Sequence, residues 1–336
     1  MKKACLVVSS PYTNGEIFNK SNTVLNRDNV LAFFHYLKDF FSEKNIDLNT
    51  QDINMPDECD FVIYNEMPNK LPRKEDVKKS FLLLFESELI RPDNWQSIKH
   101  NQFAKIFTWN DEFVDNKRYF KFNLTHLDQV KFLPFENRKK LCTLIAGNKS
   151  VSHKLELYSE RKKAIRRFEQ NHPEDFEFYG MGWNEYTFTG PVFIRVLNKI
   201  PGLRGALAGR WPSYRGPLVS KLETLKNYKF SICFENAKGI PGYITEKIFD
   251  SFAAGCVPVY WGAPNISDHV PESCFIDKRK FQNYDELYRY LSSMTAKDYN
   301  KYLESITEFL QSSKHSAFDA RTVARSVCNT IATSDQ

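Results

Sequence analysis

The stretch from Tyr228 to Gly262, YKFSICFENAKGIPGYITEKIFDSFAAGCVPVYWG, constrains the fold of this chain more than any other. Lys229 to Cys233 is apolar and β-prone and breaks off at Phe234-Glu235-Asn236. A loop with Gly239, Pro241 and Gly242 follows, and Thr245 then reads as a helix N-cap with Glu246 in the first turn. Ile248, Phe249 and Phe252 share one helical face, and Gly255 stands where the helix should stop. Cys256 to Trp261 is a short apolar run closed by Gly262, the pattern of a buried strand. Strand, loop, helix and strand in this order predict one unit of an open parallel sheet. In such sheets ligands bind outside the carboxyl ends of the strands. Here that edge carries Glu235, Asn236, Lys238, Tyr243, Thr245, Glu246 and Lys247.

The rest of the chain repeats the pattern. Residues 4–9, 47–53, 59–64, 81–85 and 104–109 read as strands, and 29–45 carries helical periodicity through Val30, Phe33, Phe34, Leu37 and Phe40. A second series begins near Leu141, with a basic helix over 159–170, a strand over 176–182, the stretch above, and helices over 283–293 and 297–311. With 336 residues there is material for two α/β domains. The expected division is 1–138, 139–315 and a tail or helix over 316–336.

Composition narrows the class. Apolar content of 42% and charged content of 26% are those of a folded globular protein. The net charge of +6 suits an anionic ligand or a membrane surface, and no nucleic-acid-binding arm or motif is present. The 7 cysteines are odd in number, far apart and without a C-x-x-C, so they read as reduced thiols, not as a disulfide framework or a zinc site. No apolar run reaches the ~18–20 residues of a membrane span. The amino terminus, MKKACLVVSS, is too short in apolar residues for a signal peptide. On that reading the sequons at Asn123 and Asn265 are chance matches.

The stretch that opened this reading resembles the signature of the α-1,3/4-fucosyltransferase family. Phe230, Phe234-Glu235-Asn236, Tyr243-Ile244-Thr245-Glu246-Lys247, Val257-Pro258-Val259 and Gly262 match it in order and spacing. The departure is the loop Ala237 to Gly242, which is longer than the pattern's. The resemblance is firm over 228–262, fair over 81–87 and 141–183, and weak at the amino terminus. It implies a GT-B fold, two Rossmann-like domains facing a cleft, the first on the acceptor side and the second binding a GDP-sugar. It also implies an inverting transfer of L-fucose from GDP-fucose. The expected acceptor is a hydroxyl of a glycan containing N-acetylglucosamine or galactose, and the expected linkage α-1,3 or α-1,4. Animal members carry an amino-terminal anchor that this chain lacks. A cytoplasmic bacterial-type enzyme of lipopolysaccharide or capsule synthesis is therefore expected. A same-fold transferase using another GDP-deoxysugar, and a non-catalytic glycan- or nucleotide-binding protein, remain as rivals.

Such a transfer needs a carboxylate to take the acceptor proton and cations to steady the departing diphosphate. Glu86, in Phe85-Glu86-Ser87, matches the element whose glutamate is taken as the family's base, with Glu88 a competitor. Lys247 in the first helical turn, where the free N–H groups also favour anions, and Arg161 match phosphate ligands. Lys162, Lys163, Arg166 and Arg167 crowd the Arg161 register. By the same resemblance Glu246 accepts from ribose hydroxyls, Tyr243 and Asn236 frame the base or the sugar, and Glu235 touches the fucose. Thr245 belongs to this donor-binding set. Asn148 and Lys149 occupy a lower-ranked donor-side loop. No D-x-D triplet occurs and the histidines show no ligand spacing, so no metal and no cofactor are expected. Finally, 186–222 interleaves arginines and lysines with apolar residues. A basic amphipathic insertion of this kind can lie in a membrane interface. Residues 190–210 are thus a candidate peripheral contact near a lipid-linked acceptor, against the plainer reading of a cleft-lining insertion.

Overall fold

The computed structural model describes residues 1–123, 132–188 and 191–334. Two residues of the Asn123 sequon, residues 189 and 190 of the basic insertion, and the last two of the tail lie outside the described residues.

The first sheet contains β1 (Lys2–Val7), β2 (Ile46–Thr50), β3 (Phe61–Asn65), β4 (Ser80–Leu84), β5 (Lys105–Thr108) and β6 (Tyr119–Lys121). Its order is β2-β1-β3-β4-β5-β6, and every pair is parallel. Position in the sheet is written in the residues. Central β4 is buried throughout, as its unbroken Phe81-Leu82-Leu83-Leu84 requires. Edge strand β2 alternates, with Ile46, Leu48 and Thr50 buried and Asp47 and Asn49 partly exposed. Tyr119–Lys121 is the last strand of this sheet.

The helix Ala32–Glu43 covers one face through Phe33, Leu37, Phe40 and Phe41, at the i, i+4, i+7 and i+8 spacing of an amphipathic helix. Val30 does not join it. Asp28 and Asn29 adopt left-handed φ values of 52° and 58°, which break the chain direction just before the helix. The tail helix Ala320–Ala332 packs against Ala32–Glu43, adding Val323, Ala324, Val327, Cys328 and Ile331 to the first core. Asp319 caps it by accepting from the Thr322 N–H at 2.7 Å. The chain therefore ends on the domain in which it began.

The second sheet contains β7 (Lys140–Ile145), β8 (Phe176–Tyr179), β9 (Tyr228–Phe234), β10 (Val257–Trp261) and β11 (Ile276–Asp277), parallel in the order β11-β10-β9-β7-β8. β9 and β10 are neighbours and the helix Glu246–Ala253 connects them, as the sequence of that stretch predicts. Gly255 closes the helix at φ 61°. All 7 cysteines are buried and free.

Candidate active site

The carboxyl ends of both sheets open onto one cleft of about 830 Å³. From the first sheet it is lined by Asn65, Glu66, Phe85, Glu86 and Trp109, and from the second by Lys149, Arg161, Asn236, Tyr243, Thr245, Glu246 and Lys247, among others. Four contacts hold its walls together on one side. The Trp109 ring lies 4.6 Å from that of Tyr243. The Asp111 carboxylate accepts from Asn265 at 2.9 Å and pairs with His269 at 2.8 Å. Glu88 pairs with His153 at 3.3 Å. Gly242 allows the closest approach. It has φ 77°, and a Cβ there would stand 2.3 Å from the Trp109 carbonyl oxygen.

Glu86 sits in the first-sheet wall, half-buried just past β4. Burial pushes its carboxyl above the usual range, and Lys149 and Lys247 across the cleft pull part of that back. Its competitor Glu88 is exposed, engaged with His153, and is not among the residues that line the cleft.

The facing wall is the first turn of the helix Glu246–Ala253. Thr245 holds the N-cap position, but its hydroxyl does not cap the helix; it donates to Glu235 at 2.7 Å. Glu235 also accepts from the Thr245 N–H at 2.8 Å and from Lys247 at 3.2 Å. Glu235, read by resemblance as touching the sugar, is placed elsewhere than the cleft lining. Its side chain is fully buried behind the cleft wall, with its oxygens committed to Thr245 and Lys247. Gly262 makes the room, since a Cβ there would fall 2.5 Å from the Glu235 Cγ. Burial works against the Lys247 charge, but Glu235 and Glu246 outweigh it and hold its pKa above the ordinary lysine value. Lys247 is thus a fixed cation at a helix amino terminus, where backbone N–H groups add to its pull on anions.

Arg161 lines the cleft but spends its Nε and Nη2 on the chain, donating to the Phe234 carbonyl at 3.2 and 2.6 Å and to Asn236 at 3.0 Å. It fixes the carboxyl end of β9 and orients Asn236. Lys162, Lys163, Arg166 and Arg167 are outside the cleft lining, and Arg167 pairs with Asp285. Asn148 donates to the Gly182 carbonyl at 2.9 Å, whereas Lys149 stands exposed on the rim.

Three further residues lie in the cleft. Lys221 pairs with Asp250 at 2.7 Å and with Glu246 at 3.5 Å, an arrangement that raises its pKa despite burial. Arg27, on the first domain, donates to the Leu218 carbonyl of the second at 3.4 Å. Glu66 directly follows β3 and lines the cleft with Glu86. The signal that picks Glu86, a carboxylate after an apolar strand, was present for Glu66 as well, in Ile63-Tyr64-Asn65-Glu66. Nothing local marks Arg27 or Lys221.

Residues 208–336 match the family model described as glycosyltransferase family 10 (fucosyltransferase) C-term. The chain is 37% identical over 160 residues to alpha-(1,3)-fucosyltransferase FucT of Helicobacter pylori, spanning 44% of this chain and 33% of that one. It is 39% identical over 109 residues to an alpha-(1,4)-fucosyltransferase of Arabidopsis thaliana, spanning 30% and 27%. The chain thus matches a third or less of the length of these curated relatives. A crystal structure of an alpha1,3-fucosyltransferase with GDP superposes with a TM-score of 0.57 at 16% identity, over 99% of this chain and 89% of that one. An alpha-glucosyltransferase in complex with UDP and DNA superposes with a TM-score of 0.56 at 11% identity, over 99% and 100%. At such identities the superpositions speak for the fold, which is GT-B, while the sequence match speaks for the family. Residues 208–336 are thus similar to the glycosyltransferase family 10 (fucosyltransferase) C-term domain, in a chain whose fold is GT-B.

Proposed function

We propose that this protein transfers L-fucose from GDP-fucose to a hydroxyl of a glycan containing N-acetylglucosamine or galactose, forming an α-1,3 or α-1,4 linkage with inversion. One observation carries the reading. A carboxylate of raised pKa, Glu86, and a fixed cation at a helix amino terminus, Lys247, line the same cleft from opposite domains. The family match and the names of the relatives supply the donor.

In this mechanism the Glu86 carboxylate takes the proton from the acceptor hydroxyl as its oxygen attacks the anomeric carbon. The diphosphate departs toward Lys247 and the N–H groups of the helix start, where its growing charge is met without rearrangement. Arg161, with Nε and Nη2 engaged, acts by holding Asn236. Glu246 accepts from the ribose hydroxyls, and Tyr243, packed at a tilt against Trp109, walls the sugar. Protein cations alone neutralise the leaving group, so no divalent ion is needed. A donor panel tests this. GDP and GDP-fucose should both raise Tm, and fucose should be released slowly from GDP-fucose whether or not EDTA is present. Stabilisation by GDP without release of fucose would move the assignment to another GDP-deoxysugar. No response to any guanine nucleotide would overturn it.

The acceptor is proposed to be lipid-linked and reached at the inner membrane face, in lipopolysaccharide or capsule synthesis. In support, Val192 and Phe193 are 73% and 75% exposed, beside Arg195 and Lys199. Among the described residues no helix is long and apolar enough to cross a membrane, so the contact would be peripheral. Replacing Phe193 and Val196 by glutamate should abolish sedimentation with anionic vesicles and leave activity on a water-soluble acceptor intact. Vesicle binding that persists would reject this contact.

A further inference from the structure

Glu66 makes an unusual set of contacts for a carboxylate at the end of a strand. Its backbone is left-handed, with φ 73°, a region that L-residues other than asparagine and aspartate rarely enter. Its N–H donates to the Leu83 carbonyl at 3.0 Å, which ties this turn to β4. That conformation turns the side chain back along the neighbouring strand. Oε1 accepts the N–H of Phe85 at 3.1 Å and that of Glu86 at 2.8 Å. Oε2 accepts from the amide of Asn94, which is fully buried and whose own oxygen takes the Met67 N–H at 2.9 Å.

The other polar groups of the Glu86 turn are held in the same network. The Phe85 carbonyl accepts from the Trp109 indole at 2.9 Å, and the Glu86 carbonyl from the Trp95 indole at 3.0 Å. The backbone N–H and C=O of both residues are therefore fixed, and the Glu86 side chain is what remains to face the cleft. Two of those four groups depend on a single side chain, Glu66.

We propose that Glu66 is the positioning residue for Glu86, clamping the backbone that aims the base at the acceptor hydroxyl. The proposal rests on the reading of Glu86 as that base. Glu66 acts through Glu86 and touches neither sugar. Its charge matters as well as its reach. Burial raises the Glu66 carboxyl to about 7, while the N–H groups and Asn94 favour its ionised form. Glu86 is a like charge beside it, and Arg91 an opposite one nearby, held by Asp93 at 2.7 Å. The charge of Glu86 opposes ionisation of Glu66 and contributes to that rise. Lys149 and Lys247 lower the Glu86 pKa from the far wall.

The test compares Glu66→Gln, Glu66→Asp and Glu86→Gln in the full chain. Glutamine keeps the shape and one acceptor oxygen, but turns its amide donors toward Asn94 and removes the charge. Aspartate keeps the charge but falls short of the Phe85 and Glu86 N–H groups. Both Glu66 variants should bind GDP with unchanged Kd and lose kcat for transfer about 10–100-fold, the range expected when a catalytic group is displaced by an ångström or less. Unchanged kcat in both, or a loss of kcat matched by a loss of GDP binding, overturns the positioning role. Full activity in Glu86→Gln would instead remove the base assignment itself, which keeps the two failures distinct.

Discussion

Glu86→Gln is expected to lower kcat for fucosyl transfer about 10³-fold, within the range that a positioned general base supplies, and to leave GDP affinity unchanged. Glutamine preserves size and the backbone contacts of the turn, so the loss reads the proton acceptor alone. The pH dependence gives a second readout. Burial holds the Glu86 carboxyl above its ordinary 4.5, and a base works only when ionised. Activity of the parent should therefore fall as pH drops through a value above 4.5, and the residual activity of the variant should lack that limb. Rates of the variant within a few fold of the parent would assign the base elsewhere.

Lys247→Met carries two expected effects at once. The first is on the donor. A charge-assisted bond to phosphate contributes about 1.5–3 kcal/mol, so GDP affinity should weaken roughly 10- to 100-fold, and kcat should fall further because charge grows on the leaving group. The second is on stability without any ligand. Glu235 is fully buried and would keep only the Thr245 N–H and hydroxyl. Removing one partner of a buried pair costs about 3–5 kcal/mol. Because the folded lysine has a raised pKa, the contribution of this pair is complete below the unfolded lysine value. It is lost only as pH climbs through the folded one. The variant should therefore melt well below the parent at neutral pH and lose that difference at strongly alkaline pH. An unchanged Tm with lost GDP binding would make Lys247 a ligand with no structural share.

What the sequence by itself determined lies within short windows. The alternation of β2, the unbroken apolar run of β4, the Thr245 start and Gly255 stop, and the strand-loop-helix-strand order of 228–262 are all written over five to thirty-five neighbouring residues. Periodicity and terminal residues act at that range, so the strands, the parallel sheets and the loop edge with Glu86 and Lys247 were legible. So was the family resemblance, because its motif is contiguous. The tertiary structure decided the roles within that edge. Glu235 stands in the motif among cleft residues, yet lies behind the wall because β9 ends one residue before it and its carboxylate turns under the helix start. Arg161 matches a phosphate ligand by resemblance, and the end of β9 takes its Nε and Nη2. Glu66 had the same strand-end signal as Glu86, and only the pairing of β3 with β4 brings the two together. The tail helix carries an apolar face without an address, and the core around Ala32–Glu43 supplies it from nearly three hundred residues away. In each case the partner lies far along the chain. Local chemistry selects the element and the side chain, and the order of strands in a sheet selects what that side chain meets.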